Sequence, residues 1–128
     1  MFGAEYTMFI RSLDHVQLAM PPDEEDRARK FYSGILGIPE LPKPAHLQKR
    51  GGVWFEAGDL KVHLGVEKDF RPAKKAHPAF LVRDLDRLIE LCKREGYSVV
   101  DDEPMEGYNR AYIYDPFGNR LEMMEPLG

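Results

Sequence analysis

Residues 110–124 read RAYIYDPFGNRLEMM, two runs of alternating side chains on either side of a chain reversal. In Asp115-Pro116-Phe117-Gly118-Asn119, Pro pre-sets φ, Gly accepts positive φ, and Asp and Asn bond to nearby backbone, which predicts a turn. The flanking runs, Arg110–Tyr114 and Arg120–Met124, are then strands. Successive side chains of a strand point to opposite faces, so Leu121 and Met123 share one face while Glu122 and Met124 share the other. The carboxylate therefore faces away from the helix-covered core.

Working back from this hairpin, residues 77–82 read as a strand and Asp84 as a helix N-cap. Leu85, Leu88, Ile89 and Cys92 recur at i, i+3, i+4 and i+7, and Gly96 is a C-cap. Ser98-Val99-Val100 supplies another strand, so residues 77–126 form a β-α-β-β-β unit. The same order precedes it. Residues 11–20 predict a strand with Leu13, Val16, Leu18 and Met20 under a helix, and Pro21-Pro22 ends it. Asp23 reads as an N-cap, Ala28, Phe31, Tyr32 and Ile35 form the apolar stripe, and Gly37 with Pro39 closes the helix. A Pro-rich crossing from Pro39 to Pro44 leads to strands at 52–57 and 60–66, with Gly58-Asp59 as their turn.

The chain thus divides into an extension over 1–10 and one α+β domain over 11–126. That domain contains modules at about 11–67 and 77–126, joined by a connector at 68–76. Repetition of one unit in a chain of 128 residues is the strongest fold signal available. His15 and His77 occupy equivalent places in the first strands, and His63 and Glu122 in the last. A pseudo-twofold relation between the half-sheets sets equivalent positions across a shared concavity.

Composition narrows the function. Eighteen basic and 22 acidic residues give a net charge of -4, which lacks the cationic footprint of a nucleic-acid binder. No apolar run approaches the ~20 residues needed to cross a bilayer, and the opening residues lack the basic start of a signal peptide. Cys92 is the single cysteine, which excludes an internal disulfide, fits a reducing cytoplasm and falls on the core stripe of its helix.

Strand parity puts His15, His63, His77 and Glu122 on the concave face and leaves His46 in the Pro-rich crossing. Three imidazoles and a carboxylate suit Zn, Ni, Fe or Mn, and the donor set does not choose among them. Trp54 and Glu56 share one parity, and Arg110, Tyr112 and Tyr114 another. Trp54, Arg71, Arg110 and Tyr114 are candidates for binding substrate, with Lys74 and Lys75 extending the basic connector around Arg71. Glu56, Tyr112 and Glu122 are candidates for proton transfer, as is Glu67.

Three segments carry a family resemblance: Leu13–Leu18 around His15, Lys30-Phe31-Tyr32-Ser33-Gly34-Ile35-Leu36-Gly37, and Tyr114–Glu122. They resemble hallmark segments of the glyoxalase, bleomycin resistance and dioxygenase proteins, the vicinal oxygen chelate superfamily, over about residues 11–126. The resemblance implies paired βαβββ modules, usually in a homodimer, and metal ligands at His15, His77 and Glu122, often with a fourth at His63. Glyoxalase I enzymes usually carry glutamate at the His63 position. The two-His-one-Glu set is similar to that of thiol-transferring fosfomycin-resistance enzymes and extradiol dioxygenases. The function this implies is a glyoxalase-like lyase or isomerase acting on a small substrate with vicinal oxygens. An iron-dependent dioxygenase and a metal-free binding protein for drug-like or aromatic ligands are the alternatives.

Overall fold

The computed structural model describes residues 7–128. Residues 1–6 of the predicted extension therefore lie outside the described residues. Within them run β1 (Val16–Met20), α1 (Glu25–Tyr32), β2 (Glu40–Leu41), β3 (Val53–Ala57), β4 (Leu60–Val66), β5 (Ala79–Leu81), α2 (Leu85–Arg94), β6 (Val99–Asp101), β7 (Tyr108–Tyr114) and β8 (Arg120–Pro126). The first sheet is ordered β1-β4-β3-β2 and the second β5-β8-β7-β6, so the repeat read from sequence is a repeat of topology. In each sheet the first strand lies parallel to the last, and the other pairings are antiparallel.

Two features escaped the sequence pattern. β2 is a two-residue strand inside the Pro-rich crossing, where Glu40 and Leu41 pair with Phe55 and Trp54. A 3-10 helix, Ala45–Arg50, follows it and carries His46 on an exposed surface. A strand this short leaves no alternation to read. β1 is also shorter than expected. It starts at Val16, paired with Val62 of β4, and Leu13 is exposed instead of lying under the helix.

The helix starts need further correction. Asp23 sits at φ 62° and does not cap α1; Glu24 takes that position, without a side-chain cap bond. Asp84 does occupy the N-cap of α2, but its own side chain makes no cap bond. Glu125 of β8 accepts hydrogen bonds from the Asp84 and Leu85 amides, at 3.0 and 3.4 Å. A neighbouring strand thus satisfies donors that a helix start leaves open.

The helix-facing sides of both sheets meet in one core, with Val53, Phe55, Val62 and Leu64 from the first and Ala111, Ile113, Leu121 and Met123 from the second. Helix α1 joins the modules. Its Phe31 packs edge-on to Tyr97 of the second module, while Tyr32 stacks on Phe55 of the first. The Tyr32 hydroxyl then donates to the buried Asp115 carboxylate at 2.7 Å. Asp115 also accepts from the Phe117 and Asn119 amides and from Asn119 Nδ2, at 2.8–2.9 Å. Asn119 Nδ2 in turn donates to the Ala19 carbonyl of β1 at 2.8 Å. Because the cores of both sheets are committed to the helix side, the faces bearing His63 and Glu122 point away from it.

A stability test follows from Asp115. Removing one net hydrogen bond costs about 1 kcal/mol, whereas stranding several buried donors costs about 2–4 kcal/mol. Urea denaturation should therefore rank Asp115→Ala well below Tyr32→Phe, with Tyr32→Phe slightly below the parent. Equal midpoints for all three would show that the network contributes nothing.

Candidate functional site

The sequence candidates gather into two clusters, one on each sheet. On the first, Trp54 and His63 are direct cross-strand partners, and their rings lie parallel at 4.1 Å and 6°. His15, just ahead of β1, stacks on the other side of His63 at 4.3 Å and 21°. His63 is buried between them. Its Nε2 is 2.7 Å from Glu56 Oε2, which reaches it diagonally across the β3–β4 pair. Gly65 leaves room beside this stack: a Cβ there would lie 2.7 Å from the Gln17 amide nitrogen.

His15 Nδ1 lies 3.0 Å from Asp14 Oδ2, and this bond, followed by the Lys61 charge, holds Asp14 below the usual carboxylate range. Carboxylate Oδ2 can only accept, so Nδ1 donates and Nε2 keeps its lone pair. The ring is oriented in the manner of a metal-ligating histidine held by a carboxylate.

On the second sheet, His77 Nδ1 lies 2.8 Å from the Lys75 carbonyl. That oxygen only accepts, so Nδ1 carries a hydrogen, and Nε2 faces Glu122 Oε1 3.0 Å away. Burial pushes the Glu122 carboxyl up. Hydrogen bonds from Arg110 and His77 outweigh it and hold the group ionised, below its ordinary value. An imidazole nitrogen this close to an ionised carboxylate is held there by a positive species, either its own proton or a metal cation. The donor chemistry of His77 and Glu122 therefore fits a divalent metal.

Arg110 is committed to this cluster. Its Nη1 lies 2.8 Å from Glu122 Oε2 and 2.7 Å from Asp102 Oδ2, and Nη2 donates to the Glu103 carbonyl at 2.5 Å. The Asp102 contact is an ion pair off the hydrogen-bond line, since Oδ2 has no hydrogen-bond partner among the described residues. Tyr112 packs edge-on to His77 at 5.3 Å. Burial, then Asp102 and Glu122, raise its hydroxyl above the ordinary phenol value, so it keeps its proton near neutrality.

The remaining candidates scatter. Arg71 is exposed and lines a cavity with His77, whereas Tyr114 lines a separate groove with Arg27, Lys30 and Tyr97. Glu67, Lys74 and Lys75 are exposed. Cys92 is buried in the core, its thiol pushed up to about 11 by burial. Among the described residues no three His, Cys, Asp or Glu side chains converge on one point within a single chain. Asp102 and Arg120 were missed as neighbours of Glu122. The parity that selected Glu122 also selects Arg120, whereas the acidic run around Asp102 has no periodicity.

The family model described as Glyoxalase/Bleomycin resistance protein/Dioxygenase superfamily matches residues 12–123. A glyoxalase family protein from Bacillus anthracis shares 45% identity over 95% of this chain and 100% of its own, with a TM-score of 0.87. A glyoxalase/dioxygenase from Nostoc punctiforme is 23% identical over 92% of each chain, at a TM-score of 0.75. The fosfomycin resistance protein FosX from Listeria monocytogenes is 18% identical over 93% of this chain and 96% of its own, at 0.74. These last two likenesses establish the fold alone. No protein of curated function matches. No helix among the described residues is long and apolar enough to cross a membrane.

The lowered Glu122 carboxyl gives a pH test. A carboxyl whose folded value is depressed stabilises the fold above its unfolded value, 4.5, and that contribution is lost as pH falls through the folded value. Glu122→Gln should therefore flatten the acid side of the pH–stability curve, measured by urea unfolding. An unchanged acid side would mean the His77–Glu122–Arg110 contacts do not stabilise the ionised carboxylate.

Proposed function

Because the chain belongs to the glyoxalase/bleomycin resistance protein/dioxygenase superfamily, we propose that it is a metal-dependent enzyme acting on a small substrate with two adjacent oxygens. The observation that carries this reading is His77 Nε2 held 3.0 Å from the ionised Glu122 carboxylate while Nδ1 is taken by the Lys75 carbonyl. His77 and Glu122 would hold the metal together with His15, whose Nε2 is left free by its carboxylate partner. When bound, a divalent ion of the Zn, Ni, Fe or Mn class acts as a Lewis acid that stabilises negative charge developing on substrate oxygen.

One chain keeps His15 and the His77–Glu122 pair in separate clusters, and both lie on faces turned away from the shared core. A homodimer resolves the separation if the face bearing His15 on one copy meets the face bearing His77 and Glu122 on the other. The open edges of β1 and β5 are suited to such a meeting, since each sheet ends on its first strand.

The other residues take roles from their contacts. Glu56 Oε2 and His63 Nε2 form a 2.7 Å pair that can take up a substrate proton and share it between them. Trp54 and His15 hold the His63 ring from both faces, which fixes the direction of Nε2. His63 Nε2 faces Glu56 as His77 Nε2 faces Glu122, so the same donor chemistry keeps His63 as a fourth candidate ligand. Tyr112, protonated and set against His77, can donate a hydrogen bond to substrate oxygen. Arg110 positions Glu122 and is not free to clamp substrate.

Titration of chelator-stripped protein with Zn²⁺, followed by calorimetry, is expected to give saturable binding. His77→Ala and Glu122→Gln should each weaken it by more than about tenfold, since each removes a direct ligand. Binding unaffected by either substitution, or absent with every divalent ion of the set, would overturn the metal-dependent reading.

A further inference from the structure

Among the described residues, Arg120 is the cation of the second sheet that no carboxylate pairs with. It lies two residues before Glu122 in β8, on the same strand face and about 6–7 Å along it. Its guanidinium lies over the Tyr112 ring, with Cζ 4.0 Å from the centroid. Among the described residues it forms no ion pair, and its Nε is buried without a hydrogen-bond partner. Arg110, two positions before Tyr112 on the adjacent strand, shares an unpartnered Nε but differs in its fork, whose Nη1 is taken by Glu122 and Asp102 and whose Nη2 donates to the Glu103 carbonyl.

Stacking does not account for Arg120 by itself. An aromatic ring engages the face of a guanidinium, while its N–H bonds all lie in the plane and radiate from the edge. The contact therefore orients a fork of donors without satisfying it. A planar fork with in-plane donors matches carboxylate and phosphoryl oxygens, which accept two parallel hydrogen bonds. Leaving the buried Nε donor unpaired costs free energy that an acceptor would recover.

The fork has somewhere to put such an acceptor. A cavity of about 450 Å³ separates β1 of the first module from the start of the second. Gln17, Ala19, Glu67, Arg71, His77 and Arg120 are among the residues that line it. Two arginines outweigh the one carboxylate, Glu67, which is exposed and pairs with neither of them. His77 borders both this cavity and the Glu122 cluster.

We propose that Arg120, with Arg71 at the mouth, forms an anion subsite adjoining His77, and that the substrate of the enzyme carries a carboxylate or phosphoryl group beside its adjacent oxygens. The identification of this ligand as substrate rests on the metal-dependent reading above. The anion site itself stands on Arg120 and the cavity alone. Tyr112 acts here as a positioning residue that aims the guanidinium.

Binding of inorganic phosphate to chelator-treated protein tests the site without metal or turnover. Calorimetry should detect one saturable event per chain, weakened at least tenfold by Arg120→Gln and less by Arg120→Lys, which keeps the charge and loses the fork. The Arg120 Nε–H resonance should shift with the same saturation. Far-UV circular dichroism checks the fold of each variant. Arg71→Gln alters an exposed side chain, so it reports even if Arg120→Gln does not fold, and it should also weaken binding. Zn²⁺ affinity of Arg120→Lys should match the parent, so loss of the metal centre and loss of the anion site are separate results. No phosphate binding, equal binding by the arginine variants, or binding only after Zn²⁺ is added would overturn the proposal, the last by placing the anion on the metal.

Discussion

The molecule depends on a buried carboxylate. Asp115 sits in the turn between β7 and β8, almost removed from solvent, and accepts hydrogen bonds from Tyr32, Phe117 and Asn119. Tyr32 belongs to the first module and Asp115 to the second, so this contact ties α1 to the final hairpin. Asn119 continues the link by donating to Ala19 in β1. Burial raises the Asp115 carboxyl while these four donors lower it, and burial prevails. Four donors are a large investment for one turn, and they fix the relation between the two sheets.

That relation decides the chemistry open to the chain. Once both helix-facing surfaces are used up in one core, the polar faces must look outward. A sheet face carrying His15, His63 and Glu56, and another carrying His77, Glu122 and Arg110, are therefore presented separately. Each cluster is locally well prepared: imidazoles are oriented by a carboxylate or a carbonyl, and Glu122 is held ionised by Arg110. Among the described residues neither cluster holds three converging metal donors within one chain. Preparation without completion is what an assembled centre requires of its parts.

Much of this was legible from side-chain periodicity. The duplicated β-α-β-β-β order, the two helix stripes and the parity of His63 and Glu122 all rest on alternation or 3.6-residue spacing, and the structure keeps them. What periodicity cannot carry was lost. Strand β2 pairs through only Glu40 and Leu41, too short to alternate. β1 pairs with β4 only from Val16 onward, so Leu13, which continues the alternation in sequence, stands exposed. The cap of α2 comes from Glu125, 41 residues away from Asp84, beyond any local signal. Among the site candidates, Arg110 looked available because its tie to Asp102 lies across a strand pair. Arg120 shares the parity of Glu122, but its contact with the Tyr112 ring lies across the β7–β8 pair and leaves no local signal.

The central claim is that the metal centre is shared between two copies of the chain. Mixing His15→Ala with Glu122→Ala protein tests it directly, since each alone lacks a ligand in every site. If sites form between copies, each mixed dimer holds one site with both ligands intact, and random exchange should restore Zn²⁺ binding to about a quarter of all sites. Sites built within one chain would remain defective in every combination. Recovery near that level is the expected result, and none after verified subunit exchange would contradict a shared centre.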